Sequence, residues 1–304
     1  MEDVAVLLVA LAIDAVLGDL PNPLHPVAWL GKAISLQLGL APRHGPGAQL
    51  VCGSAIVMLT LALAASGTYF LLDYLHGIST PGYIAVAGFL LKSTFSIRGL
   101  DRAMLRVKRA LDEGDLDQAR QELGSLVSRD TAGLDQPHIV SATVESASEN
   151  TSDSFVAPLL YFLLLGVPGA VAYRVVNTFD AMIGYHGQYE YLGKFAARLD
   201  DVLNFVPSRV SALLIVLAAY ASRKDGRRAW RIMLRDAART ESPNAGWPMS
   251  AAAGALRTRL EKPGHYQLGD PNNPLTPALI GSAVRLVSVV AVMWVCLCLA
   301  VKAV

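Results

Sequence analysis

Four apolar windows constrain this chain before anything else does. Residues 4–18, 48–72, 82–95 and 279–301 approach the run of about 20 apolar residues that a helix needs to cross the hydrocarbon core of a bilayer. Composition supports that reading: 53% of residues are hydrophobic and 17% charged, whereas soluble domains carry about 25% charge. Disordered, fibrous and ordinary soluble-enzyme classes are excluded. The expectation is an all-α, polytopic membrane protein, a single integral-membrane domain over 1–304 with about four firm spans. One or two re-entrant or additional spans and cytoplasmic helical segments complete it. Glu2 and Asp3 stand where a signal peptide would be basic, so the first window is expected to stay in the mature chain.

Two further windows are ambiguous. Residues 155–176 are interrupted by Gly166-Val167-Pro168-Gly169, which favours a helical hairpin over a straight span, and 206–221 is about one turn short. Residues 98–154 hold seven Lys/Arg and 222–277 hold ten, while 73–81 hold none, so both rich stretches are expected on the cytoplasmic side. Between them the number of crossings must be even, and the reading here is that neither ambiguous window spans. Within 98–127 an amphipathic helical hairpin is expected, from Leu100, Met104, Val107 and Leu111 and then Leu116, Ala119, Leu123 and Leu126 around Glu113-Gly114-Asp115.

The net charge of +1 gives no pull toward nucleic acid, and three cysteines form no disulfide framework or zinc spacing. There is no phosphate loop; Gly88 to Thr94 ends like one but lacks the glycine before Lys92. Chemistry must come from polar strings in 128–153, 177–209 and 241–270, the expected cytoplasmic active-site segments. Glu145, Glu149 and Asp153 recur every four residues, which stacks three carboxylates on one helix face among small residues. Like charges so placed repel, and Mg²⁺ with nucleotide phosphates would relieve them; a solvated acidic face is the alternative. Asn177 and Asp180 share another helix face, and Asp200 with Asp201 can offer oxygens to a hard cation or cap a helix. Asp14 sits inside an apolar window, as a functional group or as the partner of Arg285. His25, beside Pro26, is a base or a loop hydrogen-bonder. Asn244, Trp247, Glu261 and Lys262 lie in loops marked by Pro and Gly, a binding vocabulary that an interfacial basic loop would also use.

Taken in order, these strings resemble the adenosylcobinamide-phosphate synthase family of cobalamin biosynthesis. The matching text is Leu17-Gly18-Asp19 with His25-Pro26-Val27, SRDTAGLD (128–135), ATVESASENTSD (142–153) and PGAVAYRVVNTFDAMIGY (168–185), followed by ARLDDVLNFVPSR (197–209), NAGWP (244–248) and LEKPG (260–264). Ser148, Ser154 and His186 depart from the usual residues. The resemblance implies an integral-membrane enzyme that spends ATP, with Mg²⁺, to join adenosylcobyric acid to (R)-1-amino-2-propanol phosphate or a similar amino-alcohol phosphate as an amide. On that basis Glu145, Glu149, Asp153, Asp200 and Asp201 are assigned to Mg²⁺. Arg129, Lys262 and Arg198 are assigned to phosphates, and Asp130, Asn150, Asn177, Tyr185, Asn244, Trp247 and Glu261 to substrate. Glu145 and Glu149 also count as catalytic, and the base for the ammonium group is either His25 or Asp180. Asn177 and Asp180 are expected to face one cytoplasmic cavity with Glu145 and Glu149. Partners would be the corrinoid, the amino-alcohol phosphate, the lipid bilayer and other cobalamin-assembly enzymes, with no nucleic acid. A transporter or a non-catalytic scaffold for corrinoid enzymes is the alternative, and a transporter should show inverted repeats, which the sequence lacks.

The charge asymmetry makes a direct prediction. Single cysteines introduced at Gln118 and Ser222 should resist an impermeant thiol reagent in intact cells and react with it in inverted vesicles. Labelling of either position from outside would reverse the assigned orientation.

Overall fold

The computed structural model describes residues 1–19, 21, 23, 25–42, 45–127, 129–185, 187 and 189–304. The chain packs as two compact units: residues 1–96, 157–204 and 298–304 form the first, and 97–156 with 205–297 form the second.

The first unit is helical. It holds α1 (Glu2–Leu17), α2 (Pro26–Gly39), α3 (Pro46–Ile78), α4 (Thr80–Thr94), α8 (Ala157–Ile183) and α9 (Lys194–Leu203). Its core gathers Ile34, Val57, Val175, Phe179, Ile183 and Ala196. Gly88 lets α1 and α4 touch, since a Cβ there would lie 2.6 Å from Val9 Cγ1. At that contact Asp14 of α1 meets Lys92 of α4 (3.0 Å).

The Gly-Val-Pro-Gly break behaves as its residues require. Gly166 leaves helical geometry at φ 68°, ψ −163°, a region that glycine reaches at low cost. The chain reverses there: a Cβ on Gly169 would lie 2.7 Å from the carbonyl oxygen of Tyr161. The rings of Tyr161 and Tyr173 stack at 5.3 Å, whereas these positions would be about 18 Å apart along a straight helix. α8 is therefore a helical hairpin, its arms tied to α9 by Tyr161 Oη donating to the Leu203 carbonyl (2.9 Å) and Tyr173 Oη donating to Asn204 Oδ1 (3.0 Å).

The second unit holds α5 (Arg98–Asp112), α6 (Leu116–Leu123), α7 (Gln136–Thr151) and a π-helical turn (Ser152–Val156). α10 (Phe205–Ala221), α11 (Gly226–Asp236), α12 (Gly246–Leu256), strands β1 (Arg259–Lys262) and β2 (Tyr266–Gly269) and most of α13 (Pro277–Ala303) follow. α5 and α6 form the expected amphipathic hairpin. Leu100, Met104, Val107, Leu111, Ala119 and Leu123 are buried, Gly114 takes positive φ at the turn, and Leu116 is exposed.

Two expectations change. Residues 257–264 read as loop, yet 259–269 is an antiparallel β-hairpin with Lys262 paired to Tyr266. Pro263-Gly264 marked the turn correctly, but four-residue strands are too short to show an alternating pattern. Among the described residues, three helical stretches are long and apolar enough to cross a membrane: Pro46–Ile78, Gln136–Ile183 and Pro277–Ala303. The protein is thus of membrane type. α1 and α4, about 24 and 22 Å long, fall short of a hydrocarbon core of about 30 Å. α9 and α10, bent by 47°, would make a fourth span if they act as one.

The β-hairpin is held by a buried carboxylate. Asp236, with no exposed surface, accepts from Arg235 Nε (2.8 Å) and Nη2 (2.7 Å) and from the Gly269 N–H (2.8 Å), with Arg239 Nε at 3.2 Å. Arg235 and Arg228 both reach Asp270 beyond β2 (2.9 and 2.6 Å). Burial alone would raise the Asp236 carboxyl, but Arg235 and the Gly269 amide hold it below the ordinary carboxylate range, and Arg235 does the same for Asp270. Both groups are depressed in the folded state, so their stabilisation is complete above the unfolded carboxylate pKa of about 4 and is lost as pH falls. Midpoint temperatures of the detergent-solubilised protein should fall below about pH 5. Asp236→Asn should cost about 3 kcal/mol at pH 7, as for a broken buried pair, and flatten the acid slope. An unchanged slope in that variant would remove Asp236 from this role.

Candidate functional site

In the second unit Glu145 is the most deeply buried of the expected residues, with Arg129 beside it and the Glu261 backbone one hydroxyl away. α7 brings it inside: Asp135 caps the helix by accepting from the His138 N–H (3.0 Å), and Ser141 to Ser148, mostly small residues, are all buried. Glu145 is 4% exposed, yet each of its oxygens has a donor. Ser141 Oγ donates to Oε1 (2.6 Å), Tyr266 Oη donates to Oε2 (2.8 Å), and Arg129 Nη2 stands 3.6 Å from Oε2. Ser141 Oγ in turn accepts from the Glu261 N–H (2.8 Å). Both strands of the β-hairpin therefore reach one carboxylate.

The Glu261 side chain faces Arg259 (3.2 Å), His138 (3.4 Å) and Gln267 (3.2 Å). Lys262 lines a cavity of about 500 Å³ with Arg239, His265 and Tyr266. Glu149 is exposed and Asp153 half-buried. Asp153 lies in the π turn, so the register from Glu149 is no longer that of a continuous α-helix. Asn150 bonds back to the Ser146 carbonyl (2.9 Å), and Asp130, exposed, accepts from the Ala132 N–H (2.9 Å). Asn244 and Trp247 meet through Arg209. Its guanidinium donates to Asn244 Oδ1 (2.8 Å) and lies between the rings of Phe205 (3.7 Å) and Trp247 (4.8 Å).

In the first unit a second cluster forms along α8 and α9. Asp200 is buried. Its Oδ2 accepts from Asn204 Nδ2 (2.9 Å), Asn177 also bonds to it, and Oδ1 is buried with no hydrogen-bond partner. Arg174 holds Asn177 (3.1 Å), and Arg198 holds Asp201 (3.4 Å). Asp180 lies one turn beyond Asn177, and Tyr185, past the helix end, is exposed. His25 caps α2, its Nδ1 accepting from the Val27 N–H (3.2 Å). Burial, with the charges of Lys92 and Arg174, holds the His25 imidazole below its ordinary range against the opposing pull of Asp19. Lys92, fully buried, also reaches Asp19 (3.4 Å) and donates to the Phe95 carbonyl (3.0 Å), while Ser96 donates to Asp19 (2.6 Å). Ser128 and His186 lie outside the described residues.

Among the described residues, no three His, Cys, Asp or Glu side chains are grouped to hold a metal ion. Sequence reading missed Ser141, Tyr266, Lys92, Asp236 and Arg209. Tyr266 and Ser141 stand 121 and 4 residues from Glu145, and no local pattern signals the distant contact.

Comparison with known proteins gives a consistent result. The family model described as CobD/Cbib protein matches residues 7–299. Cobalamin biosynthesis protein CobD of Dehalococcoides mccartyi (strain CBDB1) is 54% identical over 295 residues, 97% of this chain and 96% of that protein. The probable cobalamin biosynthesis protein CobD of Methanothermobacter thermautotrophicus is 44% identical over 297 residues, again 97% and 96%. Cobalamin biosynthesis protein CobD of Klebsiella pneumoniae is 38% identical over 296 residues, 94% of this chain and 92% of that protein. No solved structure matches the chain. With the family model matched from near one end to the other and a relative at 54% identity, the chain belongs to the CobD/CbiB family of cobalamin biosynthesis proteins.

Proposed function

We propose that the protein is an adenosylcobinamide-phosphate synthase, a membrane amide ligase that uses ATP and Mg²⁺ to join adenosylcobyric acid to an amino-alcohol phosphate. The observation that carries this reading is the buried, donor-held Glu145 in a chain of the CobD/CbiB family. A carboxylate and an amine do not condense unaided, because the departing oxygen must first become a leaving group. In the proposed path a carboxylate oxygen of the corrinoid takes the terminal phosphoryl group of ATP and releases ADP. The amine nitrogen then attacks the acyl carbon, phosphate departs, and the ammonium proton passes to a protein base.

Mg²⁺, where bound, neutralises phosphate charge during phosphoryl transfer. Glu145 with Glu149, and Asp200 with Asp201, are the carboxylates proposed to hold it together with phosphate oxygens; Asp153, carried into the π turn, is not grouped with them. The orphaned Oδ1 of Asp200 supports the second pair, because a buried acceptor without a donor is costly and a cation would satisfy it. Arg129, Lys262 and Arg198 are proposed to bind phosphate. Asp130, Asn150, Asn177, Tyr185, Asn244, Trp247 and Glu261 are proposed to contact or shape the substrates.

Asp180 is the better base of the two candidates. His25 spends its Nδ1 lone pair on the helix cap, which leaves Nε2–H to donate. His25 is accordingly assigned as a hydrogen-bond donor to a substrate oxygen. A charged nucleotide and a polar-edged corrinoid cannot cross an apolar core, so the site is proposed to open to the cytoplasm at the membrane surface.

The test is ATP consumption by the purified protein. It should require both adenosylcobyric acid and the amino-alcohol phosphate, and Glu145→Gln should lower turnover by at least about 100-fold, the scale of a lost electrostatic catalytic group. ATP consumption independent of either substrate would refute the ligase, and a transporter or scaffold would show none. Asp180→Asn should lower turnover and abolish the acidic limb of its pH profile, whereas His25→Gln, which keeps an N–H donor, should retain most of the activity. The reverse order would return the base role to His25.

A further inference from the structure

Glu145 is fixed from outside its own helix, and the residues that fix it have no assigned part in the chemistry. A carboxylate at the end of two methylenes swings freely unless both oxygens are engaged. Here Oε2 accepts from Tyr266 of β2, and Oε1 accepts from Ser141, whose Oγ is itself aimed by the Glu261 N–H of β1. Register places these contacts together: Glu261 pairs with Gln267 and Lys262 with Tyr266, so the end of the hairpin nearest its turn meets one turn of α7. The hairpin cannot drift, because Asp236 anchors its far end at Gly269.

Building on the ligase reading, we infer that Tyr266 and Ser141 are positioning residues that lock the orientation of the Glu145 carboxylate, with the β-hairpin as the rigid arm that carries the lock. Each oxygen keeps one lone pair after its protein hydrogen bond, and the lock aims those remaining lone pairs. Tyr266 also lines the cavity that holds Lys262 and Arg239, so the same ring borders Lys262, one of the proposed phosphate-binding side chains.

The test combines a ligand-free and a catalytic measurement on the full-length protein in detergent. Thermal midpoints of Tyr266→Phe, Glu145→Gln and the double variant form a cycle; the lock requires the two substitutions to be non-additive without any ligand present. In the assay, Tyr266→Phe should lower kcat by about 10- to 100-fold, the range seen when a supporting hydrogen bond behind a functional ligand is lost, while KM for the amino-alcohol phosphate stays within about twofold. Ser141→Ala, which frees the other oxygen, should behave alike, and in the Glu145→Gln background neither should lower kcat further. Additive midpoints, or wild-type kcat from both single variants, would overturn the inference. If the wild-type protein consumes no ATP, the ligase reading falls on its own, and the ligand-free cycle still decides the lock.

Discussion

A charge taken out of water must be met by another charge or by a full set of donors, and this rule organises both units of the protein. An isolated ion in an apolar interior costs many kcal/mol, so in a chain that is 53% hydrophobic a buried carboxylate is expected to meet partners, and Asp200 with its unpartnered Oδ1 is the exception. Three such carboxylates anchor three junctions. Asp14 joins α1 to α4 through Lys92, Asp236 joins α11 to the β-hairpin through Arg235 and the Gly269 amide, and Glu145 joins α7 to the same hairpin through Ser141 and Tyr266. The first two are ion pairs with cations close at hand. Glu145 differs: its nearest donors are neutral hydroxyls, and its cation, Arg129, stays 3.6 Å away. A carboxylate held by hydroxyls keeps more of its charge available than one neutralised by a bidentate guanidinium, which fits the proposed chemical role of Glu145, whereas Asp236 is architectural.

Close approach of backbones is the second requirement, and small residues meet it. α12 is Ser, Ala and Gly from Ser250 to Ala255, all buried, and α7 repeats the pattern around Glu145. Small side chains let helix backbones approach closely and gain dispersion contacts. They also leave room beside a functional carboxylate, since a larger neighbour would fill the space a ligand needs. The same substitution of small for large therefore serves packing and access together.

How much of this was legible in the sequence follows from the range of each signal. Helical period, the Gly114 turn and the Gly166 reversal are local, and Leu100, Met104 and Val107 or Gly166-Val167-Pro168-Gly169 announce them within a few residues. The spacing of Glu145 and Glu149 suggested one acidic face, but it carried no information that Glu145 is buried and Glu149 exposed, because burial depends on what packs against the face. Asp14 was recognisable as an expensive group whose partner was not. Lys92 and Arg285 both lie in apolar segments, and the approach allowed by Gly88 brings Lys92 to Asp14. The β-hairpin failed to register for a related reason. Its strands are stabilised by Asp236 and Ser141, residues far away in sequence, rather than by their own pattern.

His25 illustrates how local geometry redirects a role that residue type alone suggests. Histidine beside a candidate site reads first as a base, since its ordinary pKa lies near neutrality. In this chain Pro26 occupies the first turn of α2, and the Val27 N–H, one of the helix's unpaired amides, turns back to Nδ1. Accepting that bond fixes the proton of a neutral ring on Nε2, and burial with Lys92 and Arg174 nearby disfavours a second proton. The ring that results offers one N–H and no free lone pair. It suits polarising a carbonyl or holding a phosphate oxygen, and a proton released in the same reaction must find a carboxylate instead. A His-Pro at the start of a helix thus pairs a cap with a donor, and the acid–base work moves to whichever carboxylate the neighbouring helices present.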